Sequence, residues 1–159
     1  MGDKTRVLIV DRDQSFVNHV TTLLKDKYDF ITAAAAGEGL DLARSHHPDV
    51  VVLGYLAPRG TSFALHNQLR SDPTTRDIPL VVVDVRPQDH ARKGWRTHEG
   101  LRMEAEDYLS KPVAPAELAT ILEKTIRRTS GEPMSLKEAS EHMEEALERI
   151  NRIEQLLVG

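Results

Sequence analysis

Asp49-Val50-Val51-Val52-Leu53-Gly54 is the stretch on which the fold turns. Its apolar run is short, continuous and rich in β-branched residues, the signature of a strand buried on both faces. Two more such runs flank it at a distance, Arg6-Val7-Leu8-Ile9-Val10 and Pro79-Leu80-Val81-Val82-Val83. Tyr28 to Ala34 and Asp107-Tyr108-Leu109-Ser110 read as two further strands. Helical patterns lie between them. One carries Phe16, Val20, Leu23 and Leu24 on one face. A second runs from Gly37 to His46 with Leu40, Leu42 and Ala43 inward, closed by Pro48. A third spans about Ser62 to Arg70, after a loop around Pro58 and Gly60. Arg86 to Arg102 is polar and poorly periodic, with a helix in part of it. The last pattern starts at Pro115, suited to a first turn, carries Leu118, Ile121, Leu122 and Ile126, and ends in the basic pair Arg127-Arg128.

Five strands alternating with helices predict an α/β fold: a doubly wound five-stranded parallel sheet with right-handed crossovers. Function in such sheets gathers at the carboxyl ends of the strands. Those ends are Asp11-Arg12-Asp13, Gly54, Asp84 and Ser110-Lys111.

The 159 residues divide into a domain over 1–128, a linker over 129–134 and an amphipathic helix over 135–159. Thr129-Ser130-Gly131-Glu132-Pro133 has linker composition. Beyond it, Leu136, Ala139, Met143, Ala146, Ile150, Ile153 and Leu157 recur at spacings of three and four, a heptad seam. Leu136, Met143, Ile150, Ile153 and Leu157 are its self-association candidates. The competing reading is a helix that folds back on its own domain. The seam running to Leu157 also raises the expectation of a piece cut from a longer coiled coil.

Composition removes several functions. Cysteine is absent, so disulfides, thiol catalysis and Cys-based zinc sites are excluded. The net charge of −4 gives no global basic field for nucleic acid. The seven histidines form no metal cluster by spacing, and no Gly-rich phosphate loop, GxSxG or HExxH motif occurs. No apolar run approaches the roughly 20 residues needed to span a bilayer. The expectation is a soluble cytoplasmic protein that is not an enzyme and takes no metal or cofactor.

Five segments in order carry a family resemblance: Val7-Leu8-Ile9-Val10-Asp11, Pro48 to Leu53, Pro58, Ile78 to Val83, and Asp107-Tyr108-Leu109-Ser110-Lys111-Pro112. Over about residues 4 to 128 the chain resembles the receiver (CheY-like) domains of bacterial response regulators. The resemblance implies the flavodoxin-like receiver fold. It also implies a pocket in which acidic residues hold Mg²⁺ and an aspartate accepts a phosphoryl group. In this chain Asp11 matches the first acid, Arg12 stands at the second, and Asp13 follows. Gly54 stands at the phosphoacceptor, Asp84 at the switch hydroxyl, and Lys111 and Tyr108 are kept. The chain is therefore similar to an aspartate-less pseudo-receiver with a degenerate phosphorylation pocket.

Glycine has no carboxylate to phosphorylate, and an arginine repels a divalent cation. Asp84 is expected within reach of Lys111, so that Asp11, Asp13 and Asp84 balance Arg12 and Lys111 through ion pairs that replace the metal. The competing arrangement has Arg12 in solvent and Asp84 capping a helix. The resemblance further implies a docking face on the fourth helix, fifth strand and last receiver helix. Trp95, Arg96 and Tyr108 are its candidate anchors, since Trp and Arg favour interfaces. Trp95 covering the local core is the alternative.

The expected function is a phosphorylation-independent adaptor in bacterial signalling, polarity or motility. Protein partners would use that face, and a homodimer would form through the C-terminal helix. The alternatives are a non-covalent switch gated by a small anion near Lys111 and Arg12, and a DNA-associated regulator dimerised by the tail.

Overall fold

The computed structural model describes residues 4–129, 144 and 147–151. Its strands are β1 (Thr5–Val10), β2 (Tyr28–Ala33), β3 (Val50–Leu53), β4 (Leu80–Asp84) and β5 (Asp107–Ser110). All pair in parallel, in the order β2-β1-β3-β4-β5. This is the flavodoxin-like order, with the strand sequence reversing between β1 and β3. β5 lies at one edge.

The helices are α1 (Gln14–Leu24), α2 (Ala36–His46), α3 (Thr61–Ser71), α4 (His90–Lys93), α5 (Thr97–Gly100) and α6 (Pro115–Thr129), with a 3₁₀ turn at Pro87–Asp89. Alternation along the strands separates two cores. Val7, Ile9, Val50, Val52, Val81 and Val83 meet α1 and α6. Leu8, Val10, Val51, Leu53, Val82 and Tyr108 meet α2, α3 and the α4–α5 region. Both faces are covered, which is why the strands are apolar throughout.

Three local expectations change. The buried stripe of α1 is Val17, Val20 and Leu24, and Leu23 is 59% exposed. β4 begins at Leu80, because Pro79 has no N–H for the ladder. The segment 86–102 holds two one-turn helices separated by Gly94. A Cβ at Gly94 would meet the His90 ring at 2.3 Å, so glycine permits that tight break. Gly60 precedes α3 at a φ of +96°, a conformation that glycine adopts without strain.

The C-terminal residues described are helical, and Ile150 belongs to the core on the α2–α3 side of the sheet. No helix among the described residues is long and apolar enough to cross a membrane.

Candidate functional site: a closed pocket at the strand ends

β1, β3, β4 and β5 bring Asp11, Gly54, Asp84 and Lys111 to one end of the sheet. Asp11 is fully buried. Its Oδ1 accepts from the Asp13 N–H at 2.8 Å, and its Oδ2 lies 2.8 Å from the Lys111 Nζ. Oδ2 has no well-directed hydrogen bond, so this second contact is held chiefly by charge. Burial pushes the Asp11 carboxyl up, and the Lys111 ammonium pulls it back only in part.

Asp13 is the N-cap of α1, accepting from the Phe16 N–H at 3.3 Å, and lies 3.4 Å from the same ammonium. Partial burial raises its carboxyl. The Phe16 N–H and Lys111 together outweigh that and hold it below the usual range. The Lys111 ammonium also sits 4.7 Å over the Phe16 ring. Lys111 is thus enclosed by two carboxylates and an aromatic face.

Gly54 donates its N–H to Val10 O at 2.8 Å and accepts from the Ser62 hydroxyl at 2.7 Å. That hydroxyl also accepts from the Leu56 N–H, tying the chain after β3 to α3. A Cβ built at Gly54 would lie 1.9 Å from Asp11 Oδ2 and 2.4 Å from its Cγ. The Asp11 carboxylate fills the space that a side chain at position 54 would need.

Asp84 departs from its expected role. Its backbone carbonyl accepts from the Lys111 N–H, but its carboxylate turns away from the ammonium. Oδ1 accepts from the Val85 N–H at 2.8 Å. Oδ2 accepts from the Trp95 N–H at 3.0 Å and from the Tyr108 hydroxyl. The His90 Nε2 lies 3.6 Å from Oδ2, with both side chains almost fully buried. Burial pushes the Asp84 carboxyl up, against the Tyr108, Trp95 and Val85 donors and the nearby His90. The expected Asp84–Lys111 ion pair is replaced by a separate network under the sheet end, because three donors lie on the inner side of β4.

Arg12 also stands apart. Its backbone N–H bonds Tyr55 O at 2.8 Å, while its side chain is exposed and makes no ion pair with a described residue. It lines an open cleft of about 470 Å³ with Asp13, Arg86, Asp89, Lys93 and Lys111. No cluster of three or more metal-binding side chains exists among the described residues.

The docking anchors are corrected by burial. Trp95 is 4% exposed and packs edge-on against Phe63 and His66, covering the local core. Tyr108 is fully buried with its hydroxyl on Asp84. Arg96 alone of the three stays partly exposed, and Glu99 accepts its backbone N–H and pairs with its guanidinium. Of the seam residues, Ile150 is buried in this domain's own core, whereas Leu136, Met143, Ile153 and Leu157 lie outside the described residues. His90 and Ser62 were not singled out by sequence. Linear spacing gives no sign that His90 meets Asp84.

The response regulator receiver domain family matches residues 7–123. Protein PilH of Pseudomonas aeruginosa is 36% identical over 109 residues, covering 68% of this chain and 86% of PilH. The phosphate regulon transcriptional regulatory protein PhoB of Escherichia coli is 27% identical over 138 residues, covering 86% of this chain but only 57% of PhoB. A putative response regulator from Chloroflexus aurantiacus superposes with a TM-score of 0.68 at 25% identity, covering 79% of this chain and all of that one. The chemotaxis response regulator CheY4 of Vibrio cholerae gives 0.64 at 25% identity, covering 77% and 99%. Fold and sequence therefore agree that this chain belongs to the response regulator receiver family of two-component signalling.

Proposed function

We propose that this receiver works without phosphotransfer, as a protein-interaction module whose pocket is set in one state by its own charges. The observation that carries this reading is the Asp11 carboxylate standing 1.9 Å from where a Cβ of residue 54 would be. A receiver that takes a phosphoryl group needs a carboxylate there and a cation beside it. This chain has glycine at that point, and Lys111 is engaged by Asp11 and Asp13.

The same residues do not fit Mg²⁺. The ion requires several oxygen ligands in near-octahedral geometry. Gly54 supplies no side-chain oxygen, Asp11 faces an ammonium, and Arg12 places a permanent positive charge at the adjoining position. Tyr108 is held inward by Asp84, a group that does not depend on a phosphoryl ligand. These features support a fixed conformation read by partners in bacterial signalling, polarity or motility.

The test is an amide NMR titration with Mg²⁺, then Mg²⁺ with beryllium fluoride, alongside incubation with radiolabelled acetyl phosphate. The expected result is unchanged spectra and no incorporated label. Incorporated label, or shifts at Asp11, Asp13 and Lys111 that spread to Tyr108, would defeat the proposal.

One observation favours a second reading, a small-anion switch. Arg12, Arg86 and Lys93 line the open cleft with Asp13 and Asp89, while the Lys111 ammonium at its floor is already engaged by Asp11 and Asp13. A saturable thermal shift with inorganic phosphate, lost in Arg12→Ala, would select it over the fixed module.

A further inference from the structure

The edge of the sheet carries a contact that the pocket does not explain. β5 is an edge strand, and the helical segment containing Arg149 and Ile150 lies against it. The Arg149 guanidinium donates to Asp107 Oδ1 at 2.6 Å and to Tyr108 O at 2.7 Å. Ile150 is fully buried, in one cluster with Trp95, Met103 and Tyr108. Gly100, the last residue of α5, makes the room. A Cβ there would meet Ile150 Cδ1 at 2.5 Å. Glu148 and Asn151 on either side stay exposed. The slot is therefore shaped for one apolar side chain and one guanidinium at adjacent helical positions. Charge-assisted hydrogen bonds fix the second.

Ile150 has a competing use. It stands in the middle of the heptad seam that runs from Leu136 to Leu157. In a two-stranded coiled coil that position inserts between residues of a facing helix. One side chain cannot fill the β5 slot and a coiled-coil core together.

We propose that the α5–β5 slot is a helix-binding site filled in cis by Arg149 and Ile150, and that pairing of two copies through the heptad seam empties it. The partner that draws the tail out of the slot is thus the tail of a second copy, and slot occupancy and dimerisation exclude one another. Dimerisation then uncovers Asp107, the Tyr108 carbonyl and the Gly100 hollow on the face beside the Asp84–Tyr108 network. The role of that uncovered face in docking partners rests on the interaction-module reading. The exclusion itself does not, and its test involves neither phosphate nor a partner.

The experiment uses the full chain. Sedimentation equilibrium gives the dimer constant, and amide hydrogen exchange reports residues 107–110. Gly100→Leu fills the hollow, and Asp107→Asn removes the charge that holds Arg149 while leaving the heptad sequence unchanged. Both are expected to tighten dimerisation by at least about tenfold, the order of one charge-assisted hydrogen bond, and to speed exchange at β5. Ile150→Asp, which spoils both uses, is expected to speed that exchange and to remain monomeric. If Gly100→Leu fails to fold, Asp107→Asn carries the test alone. An unchanged dimer constant in the variants that fold, dimerisation of Ile150→Asp at the wild-type level, or a wild type and Asp107→Asn both monomeric up to about 1 mM would overturn the proposal.

Discussion

Adding one methyl group at Gly54 should be expensive, and the cost can be worked from the pocket. Gly54 does not sit at a positive φ, so its backbone tolerates any residue and only space is at issue. The new Cβ of Gly54→Ala would lie 1.9 Å from Asp11 Oδ2, 2.4 Å from Cγ and 2.8 Å from Cβ. No small adjustment clears three such contacts, because Asp11 is short, buried and held at both oxygens. The carboxylate must turn away from Lys111. Overpacking of a tight interior costs about 1–3 kcal/mol, and parting a buried ion pair costs up to about 3–5 kcal/mol. The alanine recovers about 0.4–1 kcal/mol by restricting the unfolded chain.

The expected net loss is about 3–7 kcal/mol. For a domain of this size that is a fall in Tm of roughly 10 °C or more. Urea denaturation followed by circular dichroism measures it directly, and Gly37→Ala is the internal control. Gly37 lies in α2 with nothing within 4 Å of its Cβ site, so that variant should gain up to about 1 kcal/mol from helix propensity. A Gly54→Ala protein within about 0.5 kcal/mol of wild type, against the roughly ±0.5 expected of a neutral site, would refute the packed pocket and with it the main support for the proposed function.

The other expectations use different groups. Gly54→Asp alone should neither bind Mg²⁺ nor take label from acetyl phosphate, because the Arg12 guanidinium still opposes the cation at the adjoining position. Arg12→Asp with Gly54→Asp should show Mg²⁺-dependent chemical shifts, and the opposite ranking would show that Arg12 is irrelevant. Asp84→Ala strips the acceptor from the buried Trp95 N–H and Val85 N–H and removes one partner of the Tyr108 hydroxyl. At about 1–3 kcal/mol for each of the two stranded N–H groups, a loss of at least about 2 kcal/mol is expected in urea melts, and a loss below about 1 kcal/mol would contradict the network. Asp72 accepts from the Thr74 N–H and hydroxyl and from Arg44, the Thr74 N–H being the strongest cause of a pKa lowered to about 2. A depressed carboxyl stabilises the fold above its unfolded pKa, and that contribution disappears as pH falls from about 4 towards 2. Asp72→Asn should flatten the stability profile in that window. An identical profile would place the acid sensitivity elsewhere.

The sheet was legible because burial on both faces leaves no ambiguity in a run such as Val50 to Leu53. The linear pattern, however, does not state where a polar side chain points. Asp84 and Lys111 were correctly placed at neighbouring strand ends, and their backbones are in fact bonded. Which carboxylate met the ammonium depended on the inward turn of Asp84 towards the Trp95 N–H and the Tyr108 hydroxyl. Trp95 failed as a surface anchor for a related reason. Aromatic composition raises the odds of an interface, but the same ring fills a core when a short helix breaks beside it, as α4 does at Gly94. Ile150 was ambiguous in principle, since a seam for a partner and a seam for one's own domain share the same spacing.

The substitutions in this pocket act together. With glycine at 54, Asp11 has room to swing over the end of β3 and meet Lys111. With Asp11 there, the ammonium is neutralised from inside and gains nothing from an added anion. With Asp84 in place of a hydroxyl, Tyr108 has a permanent acceptor and needs no ligand to stay inward. Each change removes the reason for another feature of a phosphorylated pocket, so reverting one of them meets the rest as steric or electrostatic opposition. On the proposed reading, Lys111 serves Asp11 and Asp13 rather than a phosphoryl group. The ammonium is the counter-ion of a buried carboxylate, and removing it would leave Asp11 buried without a counter-charge, which favours its neutral form.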